Sequence, residues 1–185
     1  MVEELIQDAG RRMDKSVETT RGSFNTVRTG RASAALLDRI EIDYYGQKTP
    51  LKQLATINVP EPRLLAIQPF DPTSIKSIER AIQESDLGLT PSNDGKIVRL
   101  PIPQLTEERR KELVRVVRQI AEDGRVAVRN VRRDVIHHLK GLVVNGDVGD
   151  DDERRAEDRV QKLTDEHTKA IDELLKHKED EIMEV

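Results

Sequence analysis

Apolar residues recur every three or four positions through residues 2–29. Leu5, Ala9, Met13, Val17, Thr20, Phe24 and Val27 share one helical face, no proline intervenes, and Thr29-Gly30 supplies a stop signal. The pattern then changes period. Ile40, Ile42 and Tyr44 alternate with Glu41 and Asp43, which predicts a half-buried strand. Leu64 to Phe70 forms a second apolar run. Ile97, Val98, Leu100 and Ile102 form a third, behind the turn signal Asn93-Asp94-Gly95. Between the second and third runs, Ile75, Ile78, Ala81 and Ile82 place a short amphipathic helix over residues 73–85. All eight prolines lie from Pro50 to Pro103, inside this stretch.

Helical spacing returns at residues 106–144. Thr106 is positioned as an N-cap, Glu107 and Glu108 suit the first turn, and Asn145-Gly146 closes the segment. A last helix runs to about residue 183, with Ala156, Val160, Leu163, His167, Ala170, Leu174 and His177 on its expected core stripe. Asp150 to Asp152 are expected to cap its start. The connection between these two helices is short, so they pack antiparallel. Three apolar stripes close a bundle. The expected fold class is therefore α+β: residues 1–30 and 105–185 form a discontinuous three-helix bundle, and residues 31–104 form an inserted α+β unit. The chain crosses between them near Thr29–Arg31 and again near residues 101–105.

Composition supports slender helices over one large core. Of 185 residues, 36% are hydrophobic and 36% charged, and the aromatics are only Phe24, Tyr44, Tyr45 and Phe70. There is no cysteine, which excludes disulfides, cysteine-ligated zinc and thiol nucleophiles. The N-terminus lacks an apolar signal-peptide core, and no stretch reaches membrane-spanning length. A cytoplasmic protein is expected.

Charge is unevenly spread. Residues 106–145 hold 10 basic and 6 acidic side chains, net +4, whereas residues 146–185 hold 7 basic and 15 acidic, net −8. At about 100° per residue, Lys111, Arg115, Arg118, Arg125, Arg129, Arg132, Arg133 and Lys140 gather on one side of the long helix. They stand apart from the apolar face of Leu113, Val117, Ile120, Gly124, Val128, Val131, Val135 and Leu142. The line is roughly 40 Å long by helical rise, and Glu122 and Ile136 interrupt it. Two readings stand on pattern alone. The stripe is a solvated face paired with the acidic last helix, or it is a polyanion surface, where arginine forks suit phosphate. With so few aromatics, structured RNA read by shape and phosphate is the better polyanion. Arg28 and Arg31 flank Thr29-Gly30, where the plainer expectation is a Gly30 C-cap with arginines at a helix C-terminus.

Covalent chemistry has no constellation here. His137, His138, His167 and His177 lie in no His-Glu-x-x-His or cysteine-paired arrangement, and no phosphate-cradling glycine loop or Gly-x-Ser-x-Gly elbow occurs. No enzyme, metal site or cofactor is expected.

Several segments, taken together in order and spacing, resemble the bacterial ribosome recycling factor family. They are Arg28-Thr-Gly-Arg31-Ala-Ser, Asp43-Tyr-Tyr-Gly46, Ser85-Asp-Leu-Gly88-Leu, Gln104-Leu-Thr-Glu-Glu-Arg-Arg110 and Arg125-Val-Ala-Val-Arg-Asn-Val-Arg-Arg133, with Asp151-Asp-Glu-Arg-Arg155 and Gln161-Lys-Leu-Thr-Asp165. The resemblance covers essentially the whole chain. It implies an L-shaped molecule whose long arm is the bundle. It implies a factor that, with elongation factor G and GTP hydrolysis by that partner, splits post-termination ribosomes into subunits. By the same resemblance the bundle contacts large-subunit ribosomal RNA, through Arg132 first, then Arg129 and Arg28, then Arg31, Arg125 and Arg133. Thr29, Gly30, Pro103 and Gln104 match the hinge about which the inserted domain swings. A monomer is expected, because one chain supplies all three stripes. Thr90 and the stretch Ile136-His137-His138-Leu139 depart from the usual family pattern.

Overall fold

The computed structural model describes residues 1–184, so Val185 lies outside the described residues. It divides into two compact units, residues 1–29 with 107–184, and residues 30–106.

The first unit is built from α1 (Val2–Asn25), α4 (Glu107–Val144) and α5 (Asp150–Met183), each packed against the other two. Ile6, Ala9, Met13, Val17, Thr20 and Phe24 bury one stripe of α1. Partner order sets the directions. Arg118, Arg125 and Arg132 of α4 meet Glu179, Asp172 and Gln161 of α5, so these helices are antiparallel. Glu3 and Asp14 of α1 meet Arg159 and His167 of α5, so those two run parallel. Gly124 marks a close approach of the helices. A Cβ there would lie 2.3 Å from Thr20 Oγ1 and 3.2 Å from Ile171 Cδ1. The buried hydroxyls of Thr20 and Thr164 donate to Ser16 O and Val160 O one turn back, so the narrow core contains no orphaned hydroxyl at either site.

Several sequence expectations need correction. α1 stops at Asn25, not 29. Its last turn tightens as Thr26 and Val27 N–H donate to Ser23 O and Phe24 O, and Thr26 Oγ1 donates to Ser23 O at 2.7 Å. Gly30 is therefore not the helix C-cap. It has φ 75°, and a Cβ on it would sit 3.1 Å from Leu105 Cγ, so it serves backbone conformation and close packing at the head of the second unit. Asp150 to Asp152 do not cap α5. The N-cap is Gly149 without a side-chain bond, and the acids fill the first turn, where the helix dipole favours them. On α5 the buried line is Ala156, Val160, Thr164, Ile171 and Ile182. His177 is exposed beside Glu181, while His167 is largely buried between Leu163 O and the Asp14 carboxylate, both at 2.6 Å. On α4, Ala121 and Leu139 are buried where Ile120 and Leu142 were expected, and those two are half-buried.

The end of α4 follows the glycine signal. Gly146 has φ 81° and donates to Val143 O while Asp147 N–H reaches Leu142 O, a Schellman closure.

The second unit contains a hairpin, β1 (Glu41–Tyr44) with β2 (Gln47–Pro50), turned by Tyr45 (φ 50°) and Gly46 (φ 79°). A single helical turn, α2 (Leu51–Leu54), leads into an antiparallel sheet. Its strands β3 (Ala55–Glu61), β4 (Leu64–Pro69), β5 (Ser92–Asn93) and β6 (Val98–Pro101) lie in the order β3-β4-β6-β5. α3 (Ile75–Glu84) buries Ile75, Ile78 and Ile82 in the core formed with Ile42, Leu65, Ile67 and Leu100. β2 and β3 were illegible in the sequence. β2 is all polar or proline, and of β3 only Ala55 is buried. Residues 73 and 74, expected as the start of the short helix, belong instead to a 3₁₀ turn over Pro72–Ser74, where the Asp71 side chain accepts from Thr73 N–H. Phe70, expected in the second apolar run, lies past β4 and is exposed. The Asn93-Asp94-Gly95 turn does form. Asp94 accepts from Ile97 and Lys96 N–H and from Arg99, and the Ile97 bond chiefly holds its carboxyl far below the ordinary range. Both ends of the unit are tied to one turn, with Ala32 N–H on Pro62 O and Ile102 N–H on Arg63 O.

Candidate nucleic-acid interface

The cations of α4 point away from the buried Leu113–Leu139 line, as helical geometry requires. Their surroundings differ along the helix. Arg118 Nε donates to Glu179 Oε1 at 2.7 Å. Arg125 donates to Glu122 Oε2 at 3.1 Å and to Asp172 Oδ1 at 2.5 Å. Arg129 Nη2 donates to the other Glu122 oxygen at 2.7 Å. Glu122, which interrupts the stripe in sequence, is thus a shared clamp for two arginines. Their bonds, that of Arg125 foremost, hold its carboxyl below the ordinary range. Burial works against the charge of Arg125, whose side chain is 23% exposed, but its two carboxylate partners outweigh that and raise its pKa.

Beyond residue 130 the pattern changes. Arg132 Nη1 donates to the neutral Gln161 Oε1 at 2.7 Å, and Arg132 Nε is buried without an acceptor. Arg133 and Lys140 are exposed and form no ion pair among the described residues. Asp134 faces the other way, bonded to Arg12 of α1 at 2.6 Å, and that bond lowers its pKa. His137 and His138 are exposed side by side, with ring centroids 6.5 Å apart.

Among the sites named from sequence, Arg125, Arg129, Arg132 and Arg133 share this one helix. Arg28 is exposed in the segment following α1 and makes no ion pair among the described residues. Arg31 is exposed in the second unit. Thr29 and Gly30 straddle the first boundary between the units. Pro103 and Gln104 lie within the second unit, where Arg63 faces the Gln104 side-chain oxygen, and the other boundary falls between Thr106 and Glu107. Sequence reasoning missed the partners: Glu122 as clamp, and Asp172, Glu179 and Gln161 on α5. A signal for the first was present, since Glu122, Arg125 and Arg129 are three and seven residues apart on one face.

A groove of about 480 Å³ on the α1–α4 face is lined by Arg12, Lys15, Ser16, Thr19, Thr20 and Ser23, among others. Ser16 and Thr20 spend their hydroxyl protons on backbone carbonyls, so neither is an activated nucleophile. Among the described residues no group of His, Asp or Glu converges to hold a metal, and no helix is long and apolar enough to cross a membrane.

The family model described as ribosome recycling factor matches residues 20–183. The ribosome-recycling factor of Rubrobacter xylanophilus is 60% identical over 180 residues, covering 97% of each chain. That of Geobacillus kaustophilus is 53% identical over the full length of both. A solution structure of a ribosome recycling factor superposes with a TM-score of 0.75 at 43% identity, covering 100% of this chain and 98% of that one. A second solved structure, models for the T. thermophilus ribosome recycling factor and the E. coli elongation factor G bound to the E. coli post-termination complex, matches with a TM-score of 0.65 at 46% identity over both full chains. A helical bundle with an inserted sheet unit, a cationic helix face, and full-length identity at this level converge: the chain belongs to the ribosome recycling factor family, whose members are translation factors and not enzymes.

Proposed function

We propose that this chain acts with elongation factor G, and with GTP hydrolysed by that partner, to split post-termination ribosomes into subunits after peptide release. In this proposal the bundle docks on large-subunit ribosomal RNA through Arg132, Arg129, Arg28, Arg31, Arg125 and Arg133. The supporting observation is the set of cations after residue 130, where half-buried Arg132 and exposed Arg133 have no carboxylate partner among the described residues. Uncompensated guanidinium groups are what a phosphate backbone binds, and such contacts position a protein without reading sequence. The second unit then swings about Thr29, Gly30, Pro103 and Gln104 when the translocase engages it. The protein works as a cytoplasmic monomer, since its three apolar stripes are satisfied within one chain.

The test is light scattering from purified post-termination ribosomes supplied with a matched translocase and GTP. Wild type should split them, and Arg132→Ala should split them far more slowly, having lost a charge-assisted bond worth roughly 1.5–3 kcal/mol. No splitting by wild type would reduce the chain to a helical binding protein. An unimpaired variant would remove Arg132 from its role.

A further inference from the structure

We propose that Gln161 is a positioning residue: it holds the Arg132 guanidinium ready for phosphate while leaving its charge unneutralised. This rests on the proposed contact between Arg132 and ribosomal RNA. Arg118, Arg125 and Arg129 of the same face are all bonded to carboxylates, whereas Arg132 is bonded to an amide oxygen. A carboxylate at that place would orient the head equally well but would compete with phosphate for it. An apolar residue would leave the charge intact and the head free to turn. An amide does both jobs at once.

The amide is itself held in one orientation. Gln161 Nε2 donates to Asp165 Oδ1 at 2.8 Å, one turn further along α5, so its oxygen and not its nitrogen faces Arg132. Asp165 therefore acts at one remove and spends its charge on a neutral donor. The Arg132 Nε is buried without an acceptor, so the Gln161 bond is the one hydrogen bond fixing this head among the described residues. Of the five guanidinium protons, one on Nη1 is engaged by Gln161 and one on Nε is buried. The remaining three are unengaged among the described residues and can meet phosphate oxygens.

The experiment measures binding of the full chain to purified large ribosomal subunits as a function of potassium chloride, for wild type, Gln161→Glu, Gln161→Leu, Arg132→Ala and the double variant Gln161→Glu/Arg132→Ala. Gln161 is exposed on α5, and a melting curve for each variant is to check that it folds. Gln161→Glu is expected to weaken binding about tenfold and to reduce the slope of log affinity against log salt by about one, as though one phosphate contact were lost. Gln161→Leu is expected to weaken binding less and to leave the slope unchanged. In the Arg132→Ala background, Gln161→Glu should add little, because its effect passes through the arginine. Two results overturn the proposal while leaving the RNA contact standing: wild-type binding by Gln161→Glu when Arg132→Ala is weak, or an equal loss in both backgrounds, which would mean general repulsion. Wild-type binding by Arg132→Ala would instead remove the contact itself, and the positioning role with it.

Discussion

Along α4, Arg118, Arg125 and Arg129 meet different partners from the cations after residue 130, though both groups lie on one helix face. Arg118, Arg125 and Arg129 reach Glu179, Asp172 and Glu122, so their charge is largely spent within the bundle. Arg132, Arg133 and Lys140 reach no carboxylate among the described residues. Of the two readings that sequence left open, pairing with carboxylates holds for Arg118, Arg125 and Arg129, whereas Arg115 of the same half has no ion pair among the described residues. The proposed polyanion contact draws its support from the cations after residue 130. A basic stripe is not one object: its capacity for phosphate depends on what the neighbouring helix sets against each residue.

The largest expected effect breaks this comparison most directly. Replacing Arg132 and Arg133 together by alanine should reduce the salt slope of large-subunit binding by about two. Replacing Arg118 and Arg125 together should change it by less than one, because their counter-ions are already carboxylates. Equal slopes would abolish the distinction between the halves. A smaller effect of opposite sign should follow from Glu122→Gln. It frees Arg129 from its ion pair with Glu122 and should tighten large-subunit binding. Weaker binding would make Glu122 a positioning group instead of a competitor.

The smallest effect is on pH dependence. Glu122, held below its ordinary pKa chiefly by Arg125, and Asp134, held down chiefly by Arg12, are more acidic folded than unfolded. Their contribution to stability is therefore complete above the unfolded carboxylate range, about pH 4. It is lost as pH falls through their depressed folded values. Melting temperatures measured from neutral pH downward should fall in that acidic range, and the fall should be shallower for Glu122→Gln and for Asp134→Asn. An unchanged profile in both variants would show that these pairs contribute nothing to stability.

Much of the bundle was legible because a 3.6-residue period leaves a direct mark on the order of apolar residues. Met13, Val17, Val128, Val135 and Val160 fall where that period requires, and all are buried. The inserted unit was legible only in part. β1, β4, β6 and α3 bury alternate or helical positions, whereas β2 and β3 present mostly polar, exposed residues and carry no such mark. They are strands because β1 and β4 offer them backbone hydrogen bonds, a reason located in other segments. The early end of α1 has a similar origin. Val27 continues the helical spacing, but its N–H bonds three residues back and the helix has already closed.

By itself, the sequence determined the three amphipathic helices, the change of period between the first and second of them, the missing catalytic chemistry, and the placing of eight cations on one side of α4. These follow from local periodicity and residue type, which need no knowledge of what lies across the interface. Only the tertiary structure decided that Gly30 answers to Leu105 and not to a helix end, and that Arg132 faces an amide where its neighbours face carboxylates. These pairings join residues far apart in the chain. Their identity depends on helix register and rotation, which a single amphipathic pattern leaves open to within a turn. Charge in a folded protein is set by the partner across the gap as much as by the residue that carries it.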